Sequence, residues 1–236
     1  MSLLSEAWAW LAVEGRWSGP AGIPARTAQH LAVTGVAVLL GAVVAVPAGI
    51  LVGHARRGAG WVAALMGGAR AVPSLGLLTL FGLWLGIGVE APLLTLAVLA
   101  VPSLLAGVYS GFLAIDEAIP QAARAVGLSP GQVVVLVELP LALPVIVGGL
   151  RAATLQVVAT ATLAAYTSDY GLGRYLFAGL KTRDYAQMLA GSLIVIALAL
   201  ALELLLAALQ RAARRVADPA HTSDPSGRRP SRKDHP

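Results

Sequence analysis

The 236 residues include no cysteine. Disulfides, thiolate chemistry and cysteine-based metal sites are therefore excluded. Lysine is nearly absent as well. Lys181 and Lys233 are the only two, and neither follows a glycine, so the chain has no Walker A loop for ATP. The four histidines, His30, His54, His221 and His235, are scattered without a pair at metal-ligand spacing. There is no Gly-x-Ser-x-Gly elbow, and Ser110 before Gly111 reads as a packing residue. Paired carboxylates at intramembrane depth are missing too. These absences point away from an enzyme and from any cofactor held by this chain.

Charge is the other scarce commodity. Only 12% of residues are charged, against about 25% in an ordinary soluble domain. Hydrophobic residues make up 57% and mean hydropathy is +0.76. Long apolar runs between short polar ones predict an all-α, polytopic membrane protein, because only structures that satisfy their own backbone can cross a bilayer. Five spans can be read, over about residues 30–53, 60–88, 91–114, 139–166 and 185–210. Pro73 should kink or break the second. The fourth is too long for a simple crossing, so its part before about Gly148 should lie at interface depth. Residues 1–26 form an N-terminal segment without a basic start. Glu6 and Glu14 flank its apolar part, and Trp8, Trp10 and Trp17 suit the headgroup level, so an interfacial helix is expected rather than a signal peptide. Residues 27–210 make the transmembrane domain, and 211–236 a basic tail that reads as disordered from Asp218 onward.

The net charge of +5 is unevenly placed: residues 211–236 carry seven basic residues and three acids. Arg56, Arg57, Arg124, Arg211, Arg214 and Arg215 fall on one side of a five-span chain. The positive-inside rule makes that side cytoplasmic, with the N-terminus outside, the C-terminus inside and segment 115–138 in the cytoplasm. The basic pI reflects this bilayer preference and not a nucleic-acid partner.

The most informative segment is polar. Residues 121–140 read QAARAVGLSPGQVVVLVELP. Ala122, Ala123 and Ala125 give a thin helix-prone surface beside Gln121 and Arg124. Gly127 permits a turn that a Cβ would penalise. Ser129-Pro130 fits a second helix start, with serine as N-cap and proline in the first position. This stretch resembles the cytoplasmic loop of permease subunits of binding-protein-dependent ABC importers. That pattern is Glu-Ala-Ala, three residues, Gly, nine residues, an apolar residue, any residue, Leu-Pro. Here three residues separate Ala123 from Gly127, nine separate Gly127 from Val137, and Leu139-Pro140 close the pattern; Gln121 replaces the usual glutamate.

The resemblance extends over about residues 27–210 and is strongest to the glycine betaine, carnitine and choline group. It is carried by Val72-Pro73-Ser74-Leu75, by Glu138-Leu139-Pro140 through Ile146, by Gly149-Leu150-Arg151, by 161–165 and by Gly171-Leu172-Gly173. Methionine importers share several of these pieces, which leaves methionine or another small solute as the alternative. A non-transport scaffold or channel is the remaining contrast, and the complete loop spacing argues against it. The resemblance implies a cytoplasmic coupling helix in a loop over 115–140. Gln121, Ala122, Ala123, Arg124, Gly127, Leu139 and Pro140 would face an ABC ATPase that binds ATP and Mg itself. It also implies a second permease subunit, the same chain or a sister, an extracytoplasmic solute-binding protein and the cytoplasmic membrane. Arg70, Pro73 and Ser74 at the expected break, and Arg151 in the fourth span, are candidates for the translocation path or gate, because a charge at membrane depth needs a partner. Trp84, Tyr109 and Tyr166 offer π-faces to a quaternary ammonium.

Overall fold

The computed structural model describes residues 2–217, apart from the side chains of Met66, Ala69, Arg70 and Val216. All regular structure among them is helical: α1 (Leu3–Leu11), α2 (Ile23–His54), α3 (Ala59–Ala71), α4 (Ser74–Leu85), α5 (Glu90–Leu113), α6 (Ala118–Ala125), α7 (Pro130–Val133), α8 (Leu139–Thr160), α9 (Gly173–Thr182) and α10 (Tyr185–Ala217). A 3-10 turn at Glu14–Trp17 follows α1, a π turn at Val134–Glu138 joins α7 to α8, and a 3-10 stretch at Ala161–Tyr166 ends the fourth span.

Four segments are long and apolar enough to cross a membrane: Ile23–His54, Glu90–Leu113, Pro130–Tyr166 and Tyr185–Arg215. The second span is split instead. Val72-Pro73 is extended, and Pro73 is the N-cap of α4. At 1.5 Å per residue neither α3 nor α4 reaches across about 30 Å of hydrocarbon, but the two in series can. Both pack on α5. α10 runs past Gln210 to Ala217, so the first part of the expected tail is helical; residues 218–236 lie outside the described residues.

α5 is the hub. Two-thirds of its membrane window is buried, against 28% for α2 and 6% for α10. Small residues explain why the helices sit so close. On α2, Gly41, Ala45, Gly49 and Gly53 recur every fourth position and are all buried. A Cβ at Gly49 would stand 2.7 Å from Val108 Cβ, and one at Gly53 would stand 2.7 Å from Phe112 Cβ. Where α5 meets α8, a Cβ on Gly107 would come within 2.5 Å of Gly149 Cα. Lipid is as apolar as leucine, so such close backbone approach, rather than water exclusion, holds spans together. At one end of the bundle α1 seats Ala7 and Trp10 against Ala190 and Tyr175, leaving Leu3, Leu4 and Trp8 exposed. That end also carries α9, an amphipathic helix between the fourth and fifth spans read from the sequence.

Candidate coupling surface and transport residues

The polar loop is built as its residues predict. Asp116 Oδ1 accepts the Ala118 N–H at 2.9 Å and starts α6. Gln121, Ala122, Arg124, Ala125, Val126 and Gly127 are exposed, and Val126 is 78% so. Gly127 turns the chain at φ +96°, with no atom within 4 Å of the place a Cβ would occupy. Ser129 caps α7: its Oγ accepts the Gln132 N–H while Gln132 Oε1 accepts the Ser129 N–H, a complete capping box. Val133 is fully buried and anchors the far side. The π turn then rotates Glu138 inward before Leu139 and Pro140 open α8.

Glu138 is the residue the motif conceals. It is 2% exposed. Its Oε2 lies 2.5 Å from His54 Nδ1, at the last turn of α2. Two residues on, Arg56 adopts a left-handed φ of +49°. Its guanidinium donates to the Ile115 carbonyl at 2.5 Å and to Glu117 at 3.3 Å. Both ends of the loop are therefore fastened to the end of α2, the start through Arg56 and the finish through His54. A cavity of about 180 Å³ lies between them, lined by Gln121 and Arg124 among others.

Deeper in the bundle Arg151 finds a carboxylate. Its Nε donates to Glu203 Oε2 at 2.7 Å and a terminal nitrogen donates to Oε1, a bidentate pair between α8 and α10. Arg151 also reaches Gln210, whose amide nitrogen donates to the Pro144 carbonyl at 3.2 Å. Ser103 of α5 donates to Gln156 of α8 at 2.9 Å. At the opposite end, Arg26 donates to both Asp169 carboxylate oxygens at 3.1 Å and to the Asp169 carbonyl. Arg174 meets Asp169 at 2.9 Å, and the Tyr175 hydroxyl donates to the Ala21 carbonyl at 2.7 Å. Burial pushes the Tyr175 phenol up, while the fields of Arg26 and Arg16 pull it down.

A profile of the family described as binding-protein-dependent transport system inner membrane component matches residues 45–215. The chain belongs to that family. It is 33% identical over 186 residues to the choline transport system permease protein OpuBB of Bacillus subtilis, covering 79% of this chain and 86% of that one. It is 32% identical over the same length to the glycine betaine/carnitine/choline transport system permease protein OpuCB of B. subtilis, with the same coverage. Against the carnitine transport permease protein OpuCB of Listeria monocytogenes the figures are 34% over 185 residues, 78% and 85%. Among solved structures, the MetNI methionine ABC transporter in an inward-facing conformation matches with a TM-score of 0.68 at 26% identity, covering 90% of this chain and 99% of that one.

The permease thus has the all-helical importer fold that the loop pattern implies, and it is a component of the inner membrane. The site candidates fall into separate places. Of the residues in 121–140, Gln121, Arg124 and Glu138 line one cavity together with His54 and Arg56. Pro73 and Ser74 lie at the α3–α4 break on α5, with Arg70 in the last turn of α3, its side chain outside the described residues. Arg151 faces α10. Tyr109 is buried in the core, whereas Trp84 and Tyr166 are exposed beside Phe81 and Phe177, so the three aromatics do not converge. Sequence reading missed Glu138, His54, Arg56 and Glu203 as partners. For Glu203 a signal existed: it is the sole acid in α10, as Arg151 is the sole base in α8.

Proposed function

We propose that this chain is the membrane-spanning subunit of an ATP-driven importer for a small quaternary ammonium osmoprotectant of the glycine betaine, carnitine and choline type. The loop carries the reading: an exposed helix of small residues, a left-handed glycine turn and a capped second helix, fastened at both ends to the spans. A rigid polar platform that projects from a hydrophobic bundle without a partner of its own is suited to receive one. That partner is an ABC ATPase, which binds ATP and Mg. Closure of two ATPases presses on Gln121, Ala122, Ala123, Arg124 and Gly127. Because Glu138 and Arg56 tie this platform to α2, and Leu139-Pro140 continue it into α8, the push reaches both helices together. Arg151 and Glu203 carry the motion of α8 to α10.

A second permease subunit, identical or sister, completes the path, and Arg70, Pro73 and Ser74 at the helix break are its candidate lining, since freed backbone groups need water or protein partners. An extracytoplasmic solute-binding protein delivers the solute. Residues 27–210 act as the transport unit, α1 lies at the interface, and the arginines of the coupling end put it and the C-terminus in the cytoplasm and the N-terminus outside. The names of the permease relatives support the substrate class, whereas the methionine transporter is a likeness of fold. Uptake of labelled glycine betaine, carnitine, choline and methionine by the reconstituted complex tests this. Energised uptake of at least one quaternary ammonium solute is expected. Uptake of methionine alone would overturn the substrate, and failure of any ABC ATPase to co-purify would overturn the transport reading.

A further inference from the structure

At the end of the bundle opposite the coupling loop, a cavity of about 440 Å³ opens among Arg16, Gly22, Arg26, Asp169, Arg174 and Tyr175. Its walls hold three guanidiniums and one carboxylate, an excess of two positive charges. Asp169 is already shared between Arg26 and Arg174. The Arg16 guanidinium forms neither a hydrogen bond nor an ion pair among the described residues, and it lies over the Trp10 ring at 3.8 Å. Two of the buried polar atoms left without a partner belong to residues that line it, Arg16 Nε and Arg26 Nε. Both are N–H donors. Arg26 is only 6% exposed, so bulk solvent hardly reaches it. Gly22, the N-cap of α2, offers no side-chain cap, which turns the positive end of a 32-residue helix toward the same space. Water would accept these N–H groups, but it would leave the surplus charge uncompensated.

The cavity's depth and surroundings narrow the occupant. It is lined by the first residues of α2 and by Gln187 near the start of α10, so it lies where two spans begin, at headgroup level. The segment just before it, α1 and the turn after it, exposes Leu3, Leu4, Trp8 and Trp17 at 46 to 61%. An acyl chain can lie on these side chains while its headgroup enters the cavity. We propose that this cavity binds the phosphate of a phospholipid headgroup, with a preference for anionic lipid, and that Arg16 is the principal phosphate ligand with Arg174 beside it.

The test uses the purified full complex in detergent, titrated with phosphatidylglycerol and followed by native mass spectrometry, alongside Arg16→Gln, Arg16→Lys and Arg174→Gln at equal membrane abundance. Wild type should hold one phosphatidylglycerol per permease more tightly than the rest. Arg16→Gln should weaken that site by about tenfold or more, since a charge-assisted hydrogen bond is lost. Arg16→Lys should retain most of it, which a purely packing role of Arg16 over Trp10 would not predict. Inorganic phosphate, glycine betaine or carnitine at matched concentration should fail to displace the lipid. Displacement by phosphate would make the site one for a small anion, displacement by glycine betaine or carnitine would make it one for a zwitterionic solute, and either would refute the lipid assignment. Equal affinity of wild type and Arg16→Gln would remove the site altogether.

Discussion

Glu138→Ala should uncouple the permease without removing it from the membrane. The side chain is 3% exposed and its partner His54 23% exposed, at 2.5 Å. Truncation deletes the hydrogen bond and leaves the imidazole facing a hole, a cost of about 1–3 kcal/mol. Taking about 2 kcal/mol, the ratio of fastened to unfastened loop falls about 30-fold. The spans keep their glycine contacts, so insertion should persist, while the push of the ATPase is spent on a loop that moves apart from α2. The expected result is normal membrane abundance, ATP hydrolysis no longer stimulated by loaded binding protein, and uptake reduced by an order of magnitude or more. Glu138→Gln keeps shape and hydrogen-bonding capacity and should retain most activity. His54→Ala should resemble Glu138→Ala, and the double variant should be no worse than either single one, because both remove the same link. Wild-type uptake per ATP hydrolysed in Glu138→Ala would refute the fastening, and so would additive losses in the double variant.

Gly127→Leu should leave abundance normal, since no atom lies within 4 Å, but the φ of +96° makes a side chain cost about 1–2 kcal/mol; uptake and stimulated ATP hydrolysis should be lost, and normal transport would remove Gly127 from the docking surface. Arg151→Lys should lower the thermal midpoint of the detergent-purified complex, because an ammonium cannot reproduce the two-point contact with Glu203; an unchanged midpoint would reduce the pair to an incidental contact. A cysteine at Ser129 should resist labelling from outside intact cells and one at Ser18 should react, and the reverse pattern would invert the orientation.

The membrane class and the order of spans were legible because hydropathy and proline carry them directly. Pro73 marked its break, and Gly127, Ser129 and Pro130 marked the two-helix loop, since each acts through its own backbone. Helix ends were less so. α2 begins at Ile23 rather than near His30, because Arg26 and His30 lie on a buried face and meet Asp169 and the Val158 carbonyl. These are contacts across more than a hundred residues. The helix α9 was hidden for a related reason. Its polar composition reads as a loop, and only packing of Tyr175, Leu176 and Gly179 against α10 fixes it.

The fastening residues were illegible for a different cause, and it bears on how the loop works. The family pattern spaces Gly127, Val137, Leu139 and Pro140 but treats the position of Glu138 as free, so spacing alone gave no reason to look there. Alone in the sequence, a carboxylate beside Leu-Pro is a polar residue at a membrane edge, for which solvent is the ordinary partner. The π turn over Val134–Glu138 changes that, because one extra residue in the turn rotates Glu138 away from solvent and toward α2. A π turn forfeits regular helical bonding, and such turns occur mostly where function requires a side chain to be re-aimed. Here the re-aimed side chain meets His54, while the left-handed Arg56, itself an uncommon conformation for a residue with a Cβ, reaches the other end of the loop. Two unfavourable backbone choices, on chain segments about eighty residues apart, both serve to hold one loop to one helix end. A loop that merely connected α5 to α8 would need neither, and if the loop receives an ATPase as proposed, this convergence makes α2 part of the coupling apparatus rather than a peripheral span.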